Sequence, residues 1–504
     1  MSSSFHSCDH RSRPMKLMHK FFFFLLFLSS TCFADWTTQE DIWYSVTIDG
    51  KKSGWAHELV EVDGETKNVR SSKEQNMTLS RGGMEISITV SSSFLETADG
   101  KPISVQSLQE AMGMVQETTW VFGETTLEMT TAAGGEPIIK TVPLPKEAWL
   151  TPQSVKNMFN EKMASGATAI TYQTMTAELG PSVVTVVMTK TGETKRSILG
   201  EERTVTAWET VNDKMPVTGT EFYTTEGLHV GSLVDAGFGA IENSIMTKFD
   251  ALSPVNEVPE LMVSLFVEPN EPIAKEATSL TMNITTKDGT KVALPSVGMQ
   301  RVTNNEDGSA TLVVDLSFAL EATKFDKVNP AYLAPSAICD GSDEAVLAIA
   351  HEALDSLPEG ATQKEQALAL RTKVHAFIDE KNMSTAFASA SQVARTKEGD
   401  CSEHAVLLCG VLRAADIPSR GVMGMVYVPN LGGPNGVFGW HMWSQALLDG
   451  AWVDLDATLK TPFSVGHIAT VTTSLADEDF AAEMGGIITT IGNLEVEIYS
   501  SENE

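Results

Sequence analysis

"EGDCSEHAVLLCGVLRAADIPSR", residues 398–420, joins a Gly-Asp turn to a run that is apolar nearly all round. Ala405, Val406, Leu407, Leu408, Val411 and Leu412 leave little polar face, so the stretch predicts a helix buried at the centre of a domain. Gly399 and Asp400 supply the turn before it, which puts Cys401 at or beside the first helical turn. Backbone N–H groups there lack intrahelical partners and favour negative charge nearby. An inert core thiol needs no such position; a nucleophilic one does, provided a base lies downstream.

After Pro418, "RGVMGMVYV" reads as a strand and "PNLGGPNGVFG" as a Gly-rich loop suited to a mobile rim over a cleft. "WHMWSQALL" reads as a second strand opening at His441, and Asp449-Gly450 turns the chain into a third, "AWVDLDAT", which carries Asp456. Adjacent antiparallel strands can place His441 and Asp456 side by side. The order is that of a Cys-His-Asp triad: His441 deprotonates Cys401, and Asp456 holds the imidazole tautomer and stabilises its cation. Asp454 shares a strand face with Asp456 and is a second candidate acid, and Trp443 alternates onto the face of His441. Arg420 reads as a structural residue pairing near the site. Cys409 reads as core packing, and His351 and His375 as helix residues without chemistry. Cys401, His404, Cys409 and His441 match no common zinc spacing, so neither metal nor cofactor is expected.

Four segments, "GDCSEHA", "LRAADIPSRGVMG", "HMW" and "WVDLDAT", resemble in order and spacing the motifs of the transglutaminase-like superfamily of cysteine enzymes. The resemblance spans roughly residues 340–475. It implies an α+β core with helices packed on an antiparallel sheet, Cys401 as nucleophile, His441 as base and Asp456 as its orienting acid. Asp416 stands where the family has Gly, Gln445 where many members have Glu, and Ala457 where Pro often follows the acid; none of these removes a triad member. The Cys401 backbone N–H is the candidate oxyanion donor. The implied activity is that of a thiol enzyme acting on a peptide or amide bond through an acyl-enzyme, as a protease or amidase or by transglutaminase-type acyl transfer. Its partner is then a protein or peptide substrate. The alternative is a non-catalytic envelope binding or scaffold protein that retains the fold.

Outward from this core, 504 residues exceed what one core organises. Residues 35–255 alternate in strand fashion around Asp49-Gly50, Asp63-Gly64 and Asp99-Gly100, predicting a large antiparallel β domain with a helix near Thr151. Its opening, "YSVTIDGKKSGWAHELVEVDG", resembles the curved half-barrel domains of exported bacterial carrier proteins. Residues 256–335, turning at Asp288-Gly289 and Asp307-Gly308, predict a small β module, and 336–504 the catalytic domain with a C-terminal β tail. Thr362 and Glu365 form a capping box before one of its helices.

Residues 1–34 carry basic residues, the apolar run Phe21–Leu28 and small residues ending at Ala34, the pattern of a cleaved export signal. That run is too short to span a bilayer. The expected location is therefore periplasmic or extracellular. Net charge is −30; removing residues 1–34 takes away four basic residues and Asp9, leaving 32 basic against 65 acidic. Such a surface disfavours nucleic acid and anionic membranes. Cys339, Cys401 and Cys409 remain, an odd number that leaves at least one free thiol; Cys339 and Cys409 could bridge, whereas Cys401 and Cys409 lie too far apart on one helix.

Overall fold

Period-two segments joined by tight turns give the first half of the chain one antiparallel sheet of fourteen strands, β1 (Trp36–Ile48) to β14 (Ala240–Met246). At Asp49-Gly50 both residues have positive φ, 49° and 75°, as a two-residue hairpin turn requires. The first eight strands follow one another to one end of the sheet; the other six run inward from the opposite end, so that β1 and β14 pair in the middle. The chain crosses between the ends, from β8 (Ile138–Pro143) to β9 (Ala169–Thr174), through α1 (Pro152–Ala164). Pro152 opens that helix, where its missing N–H removes no helical bond. The computed structural model describes residues 36–81, 84–111, 114–215, 217–235, 239–260, 265–379, 388–477, 490 and 492–502. The expected export signal, with cleavage near Ala34, lies outside the described residues.

A short helix, α2 (Lys248–Ala251), leads out of the large sheet. Beyond it β15 (Ser279–Thr286), β16 (Gln300–Asn304) and β17 (Ala310–Asp315) form a second sheet. Four helices follow: α3 (Glu344–Leu354), α4 (Gln363–Phe377), α5 (Ala390–Thr396) and α6 (Cys401–Ala414). The third sheet contains β18 (Ser419–Val428), β19 (Val437–Leu448), β20 (Ala451–Leu455) and β21 (His467–Thr473), in the order β20-β19-β18-β21. The final strand, β22 (Leu494–Glu502), returns to the second sheet and pairs with β15. The architecture is thus the α+β class the sequence implies, antiparallel sheets preceding helices packed on a further antiparallel sheet.

The site sheet carries two cores. Met442 and Ala446 pack with Leu407, Leu408, Val346 and Leu370 of the helices; Met425, Phe438 and Ile468 pack with Leu280, Met282 and Ile498 of the second sheet. Each buried Leu, Ile, Val, Phe or Met among them contributes about 1.5–3 kcal/mol. The second sheet is also fastened by polar contacts. The Gln300 side chain donates to the Ala469 carbonyl at 2.9 Å and accepts the Ala469 N–H at 2.8 Å, acting as an extra strand partner. Gly298 has φ 56°, and a Cβ there would come within 2.0 Å of Asp454 Oδ2, so only glycine fits that approach.

Candidate active site

Helix α6 opens where the Gly-Asp turn ends. Asp400 caps it, accepting the Ser402 N–H at 3.0 Å, while the Glu403 carboxylate reaches back to the Asp400 N–H at 2.9 Å. Glu403 is fully buried and also accepts the Ala388 N–H at 2.8 Å, tying the approach to α5 to the start of α6. Burial, then the neighbouring Asp400 charge, pushes its carboxyl up to about 7. Glu403 folds back so closely that a Cβ on Gly399 would lie 2.2 Å from its Cβ. These contacts place Cys401, partly exposed and free, at the first residue of the helix.

His441 stands opposite Gly424 on the pair β18–β19. Its Nε2 lies 2.7 Å from Asp456 Oδ2, so Nε2 carries the proton of that bond and Nδ1 is the nitrogen left for Cys401. Burial lowers the imidazole pKa, but the Asp456 charge and hydrogen bond, with a smaller hydrogen bond to Cys401, outweigh it and push the value up to about 10. Asp456 is fully buried. Burial would raise its carboxyl; the charge and hydrogen bonds of His441 and His467 hold it well below the usual carboxylate range. The three residues expected to form a triad therefore lie in one contiguous arrangement.

Several neighbours were not legible as site residues. His467 Nε2 approaches the same Asp456 oxygen at 3.1 Å, while its Nδ1 lies 2.9 Å from the Ser464 carbonyl. The other Asp456 oxygen accepts the N–H groups of Thr458 (2.7 Å) and Leu459 (3.2 Å). On α4, one turn apart, Arg371 donates to the carbonyls of Asp456 (2.6 Å), Leu459 and Thr461 (2.9 Å), and His375 Nδ1 donates to the Ala457 carbonyl at 2.8 Å. The Asp456 loop is thus gripped by a helix whose histidine reads as unremarkable in sequence. His441, Asp456 and His467 also bring three potential metal-ligating atoms within 4.8 Å of one another. The hydrogen bonds among them satisfy these atoms without an ion.

Other expectations resolve differently. Asp454 does not face His441: it accepts the Trp443 indole N–H at 2.8 Å, the Gln445 amide at 2.7 Å and the Met299 N–H at 2.8 Å. Trp443, 1% exposed, is thereby fixed beneath the site, edge-on to His467 at 5.0 Å between ring centres. Arg420 donates to Gln445 Oε1 at 2.8 Å and sits 4.0 Å over the Trp452 ring, a structural role as expected. His441 lies within β19 rather than at its start, because Val437 already pairs with Val428. The Gly-rich loop is correspondingly shorter. It is tied down by Asn435, which donates to the carbonyls of Pro269 and Asn270. Cys339 and Cys409 are buried free thiols rather than a disulfide, and burial pushes Cys339 up to about 12.

Residues 352–457 match the model of the transglutaminase-like superfamily, a span that includes Cys401, His441 and Asp456 and stops short of His467. No curated protein matches the chain. Among solved structures, the chain is similar to a β-barrel-like protein of unknown function from Brucella abortus, at 9% identity over 41% of this chain and 94% of that one, with a TM-score of 0.31. It is similar to a candidate cysteine protease from Cytophaga hutchinsonii at 17% identity, over 47% and 85% of the two chains, with a TM-score of 0.27. A third is the periplasmic domain of TgpA from Pseudomonas aeruginosa bound to ethylmercury, at 14% identity over 36% and 91%, with a TM-score of 0.23.

Proposed function

We propose that the transglutaminase-like domain is a thiol enzyme in which Cys401, His441 and Asp456 cleave a peptide or amide bond through an acyl-enzyme. The observation that carries this reading is the buried His441–Asp456 pair, Nε2 to Oδ2 at 2.7 Å, whose imidazole also hydrogen-bonds Cys401 at the start of α6. The Cys401 sulfur adds to the substrate carbonyl carbon, and the oxyanion takes the Cys401 backbone N–H as one donor. Collapse breaks the C–N bond as the His441 imidazolium gives its proton to the departing amine. Water or a second amine then attacks the thioester, and Cys401 leaves as thiolate. Water is the default acceptor, which favours hydrolysis.

The reading extends to the rest of the chain. Residues 1–34 are an export signal, 35–255 and 256–335 are β domains that place the substrate or a partner, and 336–504 carry the chemistry. Among the described residues no helix is long and apolar enough to cross a membrane.

Alkylation of Cys401 by iodoacetamide against pH, in wild type and His441→Ala, tests the pair. Rapid labelling below pH of about 6 that is lost in the variant supports it. Labelling that rises only near pH of about 8.5 in both proteins overturns it. Incorporation of a labelled primary amine marks transfer, and new N-termini or released ammonia mark hydrolysis. Partner binding and cellular function that survive Cys401→Ala would move the scaffold reading to the front.

A further inference from the structure

The large sheet holds a second polar site on elements that contain none of the triad. Five titratable side chains connect in series. Glu221 Oε2 meets His229 Nε2 at 2.7 Å, His229 Nδ1 meets the Tyr44 hydroxyl at 3.0 Å, Tyr44 donates to Glu58 Oε2 at 3.2 Å, and Lys73 Nζ lies 3.3 Å from Glu58 Oε1. Strand register places much of this chain on one face: Glu58 is paired with Lys73, Tyr44 with Ala56, and Glu221 with Ser232.

Ile245, paired with Tyr44, continues this face into an apolar core that also contains Val205 and Val230, so placing charge here is not forced by a lack of apolar alternatives. Desolvating such groups is costly unless every one is paired. The series also borders a cavity of ≈ 250 Å³ instead of closing on packed side chains. That is room for about eight waters at liquid volume, or for one small organic molecule. Asn243 lines it too; its amide donates to Ser232 at 3.0 Å, while its Oδ1 is buried without a hydrogen-bond partner among the described residues.

Carboxylate and ammonium thus stand together at the wall, with an acceptor in need of a donor. A purely cationic ligand would leave Lys73 opposed, and a purely anionic one would meet Glu58 and Glu221. We propose that this cavity binds a small zwitterion, a free amino acid or the two ends of a very short peptide. Its ammonium takes Glu58 and Asn243 Oδ1, and its carboxylate takes Lys73. The Lys73 side chain is 70% exposed and so can leave Glu58 for the ligand without being dragged through the core. Tyr44 and His229 hold Glu58 in place.

Isothermal titration of the purified full-length protein tests this with glycine, L-alanine, L-leucine and dialanine. Methylamine, acetate, alanine amide and N-acetylalanine serve as single-charge comparators. Saturable binding of at least one zwitterion is expected, with every comparator at least about tenfold weaker. Lys73→Met is expected to weaken binding by about tenfold or more, with Glu58→Gln as the second variant and circular dichroism checking that each is folded. Cys401→Ala is expected to bind as wild type does, so the outcome is independent of the thiol chemistry. Comparators that bind as well as zwitterions, unchanged binding in Lys73→Met, or no saturation by any zwitterion up to about 20 mM would each overturn the proposal.

Discussion

At the scale of single residues, the catalytic reading depends on how Asp456 is held. Both its oxygens are engaged, one by two backbone N–H groups and the other by two histidines. On that reading His467 is a positioning residue, acting on Cys401 and His441 through Asp456. Losing a hydrogen bond to a charged group costs about 1.5–3 kcal/mol, so His467→Leu is expected to slow acylation roughly ten- to a hundredfold. His467→Gln, which keeps an N–H donor, should recover part of that loss with KM unchanged. Equal loss in both variants would refute the role. His441 gives a second prediction. Its folded-state value of about 10 lies above its ordinary 6.5. Its stabilisation is thus complete below pH of about 6.5 and is lost as pH rises toward about 10. Urea unfolding should show wild-type stability falling across that window and His441→Gln falling less. Cys401, His441 and Asp456 stand out in the sequence as candidates because motif spacing marks them, and the structure brings His441 and Asp456 together. His467 and Arg371 do not stand out, since each reaches the site from an element whose position no local pattern encodes.

At the scale of elements, capping explains both what was legible and what was not. The Thr362/Glu365 box announced α4, and the same device at Asp400 and Glu403 starts α6. Helix α5 has seven residues and little apolar patterning, too short to show a helical period. The tight fit of Glu403 over Gly399 makes Gly399→Ala destabilising by about 1–3 kcal/mol, with slower Cys401 alkylation in the protein that still folds. Thermal unfolding measures the first effect and mass spectrometry the second. Glu403 also carries a pH signature. Its folded-state value, about 7, exceeds its ordinary 4.5. The native state therefore binds the extra proton between those values, and stability falls as pH rises through that window. Relative to wild type, Glu403→Gln should gain stability from pH of about 4.5 to 7; a constant difference would contradict the assignment.

At the scale of the molecule, the superfamily match ends before the structural unit does. Residues 352–457 lack β21, which pairs with β18, and every residue of the second sheet whose core contains Met425 and Phe438. A fragment of residues 352–457 should show no cooperative unfolding by circular dichroism, whereas 256–504 should unfold as one unit. Local turn chemistry made the hairpins of the large sheet and the β16–β17 hairpin at Asp307-Gly308 readable, whereas the turn at Asp288-Gly289 joins no hairpin because β15 pairs with β17 and β22. The pairing of β22 with β15 was not readable, because Ser279 meets Glu502 across most of the second half of the chain. That pairing also sets a schedule. During synthesis β15 emerges long before its partner and presents an open edge, the kind that joins neighbouring chains into aggregates. The second sheet is complete only when β22 arrives to cover it, so the interval between the two strands is when the nascent chain most needs a chaperone.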